Sequence, residues 1–197
     1  KLKLHTGENV GYGDVSQPER QMHTTALWLN LPAALLGPLN QDPSRIATAA
    51  LGAAHALHYA AALLLMSDAR DLGRAVGDAR SGWFAVSARG GRGTFSTAND
   101  GSELALPPAP TIFLFDRYTG GTGLSERLFD ERLDLLERAA AQIERCACEA
   151  GCPGCIGPGG GRETRCVAGA MLRLVLERIS APPPRFMPPG PAAPELT

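Results

Sequence analysis

An excess of positive charge is the first thing this sequence lacks. Nineteen Lys and Arg stand against twenty Asp and Glu, for a net charge of -1. No global basic field therefore draws the chain onto nucleic acid or acidic lipid, and any contact with DNA has to be local. Lysine itself occurs only at Lys1 and Lys3. A G-x-x-x-x-G-K-[ST] phosphate loop is thereby missing, and with it the expectation that this chain alone hydrolyses ATP. Long apolar runs are missing too. The longest, Tyr59 to Met66, has eight residues, whereas a membrane-spanning helix needs about 20, so no membrane partner is expected. The chain starts at Lys1 without a charged-then-apolar leader and reads as a piece of something larger. Neither a nucleophile elbow nor an H-E-x-x-H pattern occurs, so no catalytic residue is assigned.

What is present describes a folding domain. With 197 residues, 44% of them hydrophobic and 20% charged, one core with an appendage is expected. Residues 1–180 carry the periodic segments. The last 17 residues hold seven prolines and cannot form a packed element, so 181–197 reads as a disordered tail.

Leu2 and Leu4 alternate with polar residues as a short strand, and 21–31, ending before Pro32, reads as a second. Asp42-Pro43-Ser44 supplies an N-cap and a first-turn proline, and apolar residues from Ile46 to Leu64 recur every three or four positions. That pattern predicts a helix over 43–66. Trp83 to Val86 suits a strand, while 89–93 and 99–101 are turn chemistry of a surface loop. Thr111 to Phe115 reads as a strand buried on both faces, with Asp116 at its end. A single amphipathic helix is expected over 124–143, its apolar stripe including Leu128, Phe129, Leu133 and Leu135. Another, over 162–179, places Val167, Ala170, Met171, Leu174 and Ile179 together. The fold class is α/β, a small mixed sheet with packed helices and a C-terminal zinc-binding segment.

Four of the five cysteines fall within ten residues, as C-x-C-x3-C-x2-C: Cys146, Cys148, Cys152 and Cys155. A disulfide scaffold spreads its cysteines over the chain; clustered thiols point to a metal in a reducing compartment such as the cytoplasm. Gly151 and Gly154 let the backbone wrap an ion. The alternatives are free buried thiols and an iron–sulfur cluster, but the spacing matches neither common ferredoxin pattern. One closed, structural zinc per chain is the expectation, with Arg145 and Arg162 placed to offset its charge. Cys166 reads as a small core residue of the following helix.

Gly120-Gly121-Thr122-Gly123, between a strand and a helix, has the position of a phosphate cradle but reads better as a tight turn. His23, His55 and His58 read as hydrogen-bonded structural histidines.

Several strings occur in a telling order: Gly11-Tyr12-Gly13, Met22 to Leu29, Gly52 to Leu57, Ser67 to Gly73, Phe115-Asp116 with Gly120 to Ser125, then the four cysteines. Taken together they resemble the C-terminal zinc-binding domain of DEAD/DEAH-box superfamily-two helicases, the group of the bacterial mitomycin-repair helicase and the fungal RecQ-four-like helicases, found also in antiphage-defence helicases. Met66 departs from the cysteine that many members carry there. The resemblance implies an accessory module of an ATP-dependent DNA helicase. Its ligands would be Cys146, Cys148, Cys152 and Cys155, and its partners the motor domains, DNA and defence-system proteins. It assigns no role to His23, His55, Asp68, Asp71 or Asp116. Two other readings stand beside it: a nuclease using Asp68, Asp71, Asp116 and a histidine on a catalytic metal, and a protein-binding platform of a defence complex.

Overall fold

The computed structural model describes residues 22–78, 83–86, 96–97 and 109–181, with Lys3, Thr6 and Glu8. The expected strand at Leu2 and Leu4, the expected loops 89–93 and 99–101, and the tail from 182 onward lie outside the described residues. Five strands form one sheet in the order β1-β5-β2-β3-β4. They are β1 (Ala26–Asn30), β2 (Leu72–Asp78), β3 (Trp83–Val86), β4 (Ser96–Thr97) and β5 (Thr111–Asp116). The sheet was expected to be mixed; every described ladder is antiparallel.

Strand β5 is not buried on both faces. Its residues alternate between half-buried and buried, because helices cover only one side. Leu72 and Val76 of β2 and Ile112 and Leu114 of β5 line the covered side at 1 to 2% exposure. On the other, Trp28 pairs across from Phe113 and remains 65% exposed. A one-sided antiparallel sheet needs only this alternation.

The helix α2 (Pro43–Leu65) is the centre of the core. The Asp42 carboxylate accepts from the Arg45 amide at 3.0 Å, and Met66 closes the helix in a left-handed conformation with φ 51°. By length and mean hydropathy α2 could span a membrane, yet 72% of its most apolar window is buried inside the domain. Its alanines give the reason. Ala49, Ala50, Ala53, Ala54, Ala56, Ala60 and Ala61 are all buried, and such small side chains let neighbours approach from several directions.

The helix expected over 124–143 is two. The short α1 (Ala33–Leu36) precedes α2, and α3 (Leu124–Asp130) is separated from α4 (Arg132–Arg145) at Glu131, where ψ is 21°. Arg132 bridges the break: its Nη1 donates to the Phe129 carbonyl at 2.9 Å and its guanidinium stacks 4.9 Å over the Phe129 ring. Phe129 and Leu133, expected in the stripe, are exposed; Leu128, Leu135, Leu136, Ala139, Ala140 and Ile143 form it. The helix α5 (Arg162–Ser180) turns a different stripe inward from the one expected. Val167, Ala168, Met171, Leu172 and Val175 are buried, while Ala170 and Ile179 are exposed. Helices α2, α4 and α5 pack on one another, so the segment joining α4 to α5 lies at the edge of the shared core.

Candidate metal centre

Helix α4 stops at Arg145, and Cys146 leaves it in an extended conformation with ψ 128°. Cys148 follows one residue later. Cys152 opens a tight turn in which its carbonyl accepts from the amides of Cys155 and Ile156, both at 3.1 Å. This turn sends Cys155 back beside Cys152. The sulfur separations are 3.6 Å for Cys146–Cys152, 3.6 Å for Cys148–Cys155 and 3.7 Å for Cys152–Cys155, and all four sulfurs lie within 4.8 Å of one another. A tetrahedral zinc with Zn–S bonds of about 2.3 Å places its sulfurs about 3.8 Å apart. A disulfide needs about 2.05 Å, and the cysteines are free. The cluster is compatible with one zinc ion.

The thiols are unequal. Burial pushes Cys155 up to about 12 and Cys148 above its ordinary value, whereas backbone amides of Cys155 and Gly154 hold Cys152 down to about 7. A dication at their centre removes that inequality, because metal binding displaces the thiol protons.

Two anchors tie this loop to the core. The first is Ile156, 4% exposed, which seats against Gly52 of α2 and Ala168 of α5. Gly151, at φ 93°, passes so close to the Ile156 side chain that a Cβ would collide with it. The second anchor is Arg165. Its Nε donates to the Ile143 carbonyl at 3.1 Å, its Nη2 to those of Glu144 at 3.2 Å and Cys146 at 2.8 Å, and its Nη1 to that of Cys148. One guanidinium thus caps α4 and holds the first two cysteines' backbone. Arg145 and Arg162, expected to offset the cluster's charge, are exposed and make no such contact; Arg165 supplies the nearby positive charge. The sequence offered one clue to it, an arginine in the first turn of the helix after the cysteines. Cys166, expected in the core, is exposed.

The other singled-out residues do not join this centre. Among the described residues, the four cysteines are the group of potential ligands that converges. Asp116 is fully buried, and its carboxylate accepts from the amides of Thr122, Leu124 and Ser125 and from the hydroxyls of Thr122 and Ser125. The Gly-Gly-Thr-Gly amides that could cradle a phosphate are therefore taken by the chain's own carboxylate, and the segment is a turn. Burial pushes Asp116 up, yet hydrogen bonds from Ser125 and Thr122 outweigh it and hold the group at about 2. Asp68 accepts from the Arg70 amide at 2.8 Å and Asp71 from the Tyr118 hydroxyl at 2.8 Å. The nuclease set of Asp68, Asp71 and Asp116 with a histidine thus does not gather on a common ion. His23 is exposed. His58 is buried and hydrogen-bonded as expected, through Nε2 to the Leu72 carbonyl at 3.0 Å. His55 is buried with neither ring nitrogen in a hydrogen bond, against expectation.

Residues 53–156 match the family model described as the MrfA Zn-binding domain. The chain is 32% identical over 159 residues to the Bacillus subtilis (strain 168) protein YprA, described as an uncharacterized ATP-dependent helicase; the match covers 80% of this chain and 17% of that one. A shorter match, 40% identical over 45 residues, covers 23% of this chain and 40% of the uncharacterized protein MJ1572.1 of Methanocaldococcus jannaschii. Among solved structures, the DUF1998 helicase MrfA bound to DNA superposes with a TM-score of 0.60 at 27% identity, over 88% of this chain and 20% of that one. The same helicase with DNA and AMPPNP gives a TM-score of 0.52 at 28% identity, over 86% and 18%. The chain thus spans 17 to 20% of the helicases it is similar to.

Proposed function

Because this chain belongs to the MrfA Zn-binding domain family, we propose that it is the zinc-bearing accessory module of an ATP-dependent DNA helicase, acting with motor domains that lie outside it. Cys146, Cys148, Cys152 and Cys155 are its ligands, and the observation that carries this assignment is the convergence of their four sulfurs within 4.8 Å. With four thiolates the coordination sphere is closed, so the ion supplies folding energy rather than a reactive position. Its task is mechanical. Cys146 and Cys148 continue α4, while Cys152 and Cys155 lead toward α5, so one ion locks the junction of two core helices. Residues 1–180 make the module and 181–197 are an appendage to it.

A rigid module suits a helicase because motor domains convert ATP hydrolysis into strand separation only against a surface that keeps its shape. In the intact helicase, Cys152→Ser is expected to weaken unwinding more than basal ATP hydrolysis, since the motor folds separately. Elemental analysis of the purified chain should give about one zinc, and cobalt substitution should give the absorption of tetrahedral thiolate coordination. Iron in place of zinc, or unwinding and ATP hydrolysis falling together, would overturn the reading.

A further inference from the structure

Arg74 lies on β2 in register with Leu114, on the face of the sheet that the helices cover. Its half-buried guanidinium places Nη1 3.2 Å from His58 Nδ1. The other nitrogen of that ring, Nε2, lies 3.0 Å from the Leu72 carbonyl, which can only accept. The proton of the neutral imidazole is therefore on Nε2, and Nδ1 accepts from Arg74. This accounts for one of the five N–H donors of the guanidinium.

No carboxylate accounts for the others. Arg74 forms no ion pair among the described residues. The charged groups felt at its neighbours are all cationic: Arg74 acts on His55, and Arg74 and Arg117 on His58. Burial correspondingly lowers the pKa of Arg74. A desolvated cation without an anion is among the costlier arrangements in a folded protein. Tyr59 borders the spot. Its ring stands 4.8 Å from that of His55 and 5.4 Å from that of His58, and the residue is 44% exposed, so the cluster reaches solvent beside it.

We infer that Arg74, held by His58 and bordered by Tyr59, is an anion site that takes a backbone phosphodiester of the DNA strand. An arginine fork matches two phosphate oxygens, and its fixed angle on His58 leaves the rest of the fork free for them. The net charge of -1 requires DNA contact to be local, and this is the local cation that the chain's own carboxylates leave uncompensated among the described residues. The inference rests on the reading of the chain as a helicase module.

The full chain and its Arg74→Gln variant test it, since a glutamine amide can still donate toward His58 while removing the charge. In sodium chloride the variant should be at least as stable as the parent. Replacing chloride by inorganic phosphate at equal ionic strength should raise the parent's Tm by about 3 °C and leave the variant unmoved. Affinity for a single-stranded oligonucleotide should fall about tenfold, and the slope of log K against log salt should shrink by about one. A variant destabilised in chloride, with no phosphate effect on the parent, would make Arg74 a strut for His58 and sink the inference. So would a phosphate effect accompanied by equal DNA affinity of the two proteins. A parent that binds no DNA at all strikes instead at the helicase-module reading.

Discussion

Arg165 Nη2 donates to the Cys146 carbonyl at 2.8 Å, so the first turn of α5 grips the residue that ends α4. The same side chain reaches the carbonyls of Ile143, Glu144 and Cys148, and it does so whether or not an ion sits in the loop. Replacing it with Lys keeps the charge but not the planar fork. Arg165→Lys is expected to lower stability by about 2 kcal/mol and to speed zinc release to a chelator. Denaturant unfolding and a colorimetric zinc-release assay would check both; unchanged release would show that the cysteines hold their loop unaided.

Removing the ion should loosen the loop rather than the domain. Structural zinc in small peptides contributes on the order of 10 kcal/mol to folding, but here α2, the sheet and the buried stripes of α4 and α5 supply a core of their own. Hydrogen exchange after chelation should lose protection between about Leu133 and Ile179, most in the cysteine loop, and keep it in β5 and the middle of α2. Uniform loss across the chain would contradict this.

Asp116 organises a turn that the ion never touches. Its pKa of about 2 lies below the ordinary 3.8, so the folded state holds fewer protons than the unfolded one between these values. The stability it contributes is complete above about pH 4 and is lost as the pH falls toward about 2. Asp116→Asn should cost about 3 kcal/mol at neutral pH and flatten the acid limb of a stability-versus-pH curve over that window. An acid limb identical to the parent's would refute the assignment.

His55 acts in a neighbouring window with the same sign. Burial lowers it from 6.5 to about 4, so between these values the unfolded chain takes up a proton that the folded chain refuses. Stability therefore falls as the pH drops from about 6.5 to about 4 and is flat with respect to this group above. His55→Phe should reduce that slope in urea titrations run at several pH values. An unaltered slope would place the proton uptake elsewhere, with His58, whose pKa burial also lowers, the next group to test.

Much of this was legible in the residues because it depends on local chemistry. C-x-C-x3-C-x2-C holds its four thiols close whatever surrounds it, and Asp42-Pro43 starts a helix by satisfying its own first amides. The helical period of α2 and the strand composition of β5 were visible for the same reason. Other features hang on partners far away in sequence. Whether β5 is covered on one face or two is decided by where the helices land, and which stripe of α5 turns inward is decided by α2 and α4.

Composition and spacing by themselves determined the zinc-binding character of the cysteine cluster, the lack of a phosphate loop and the α/β class. The tertiary structure alone decided that Arg165, not Arg145 or Arg162, guards the cysteine loop. It alone decided that Asp116 fills the glycine turn, and that Arg74 meets a histidine instead of an acid. The physical reason is range. A cysteine finds its co-ligands within ten residues, while the guanidinium of Arg165 and the carbonyls it caps are separated by 17 to 22, a distance only the packing of α4 against α5 closes.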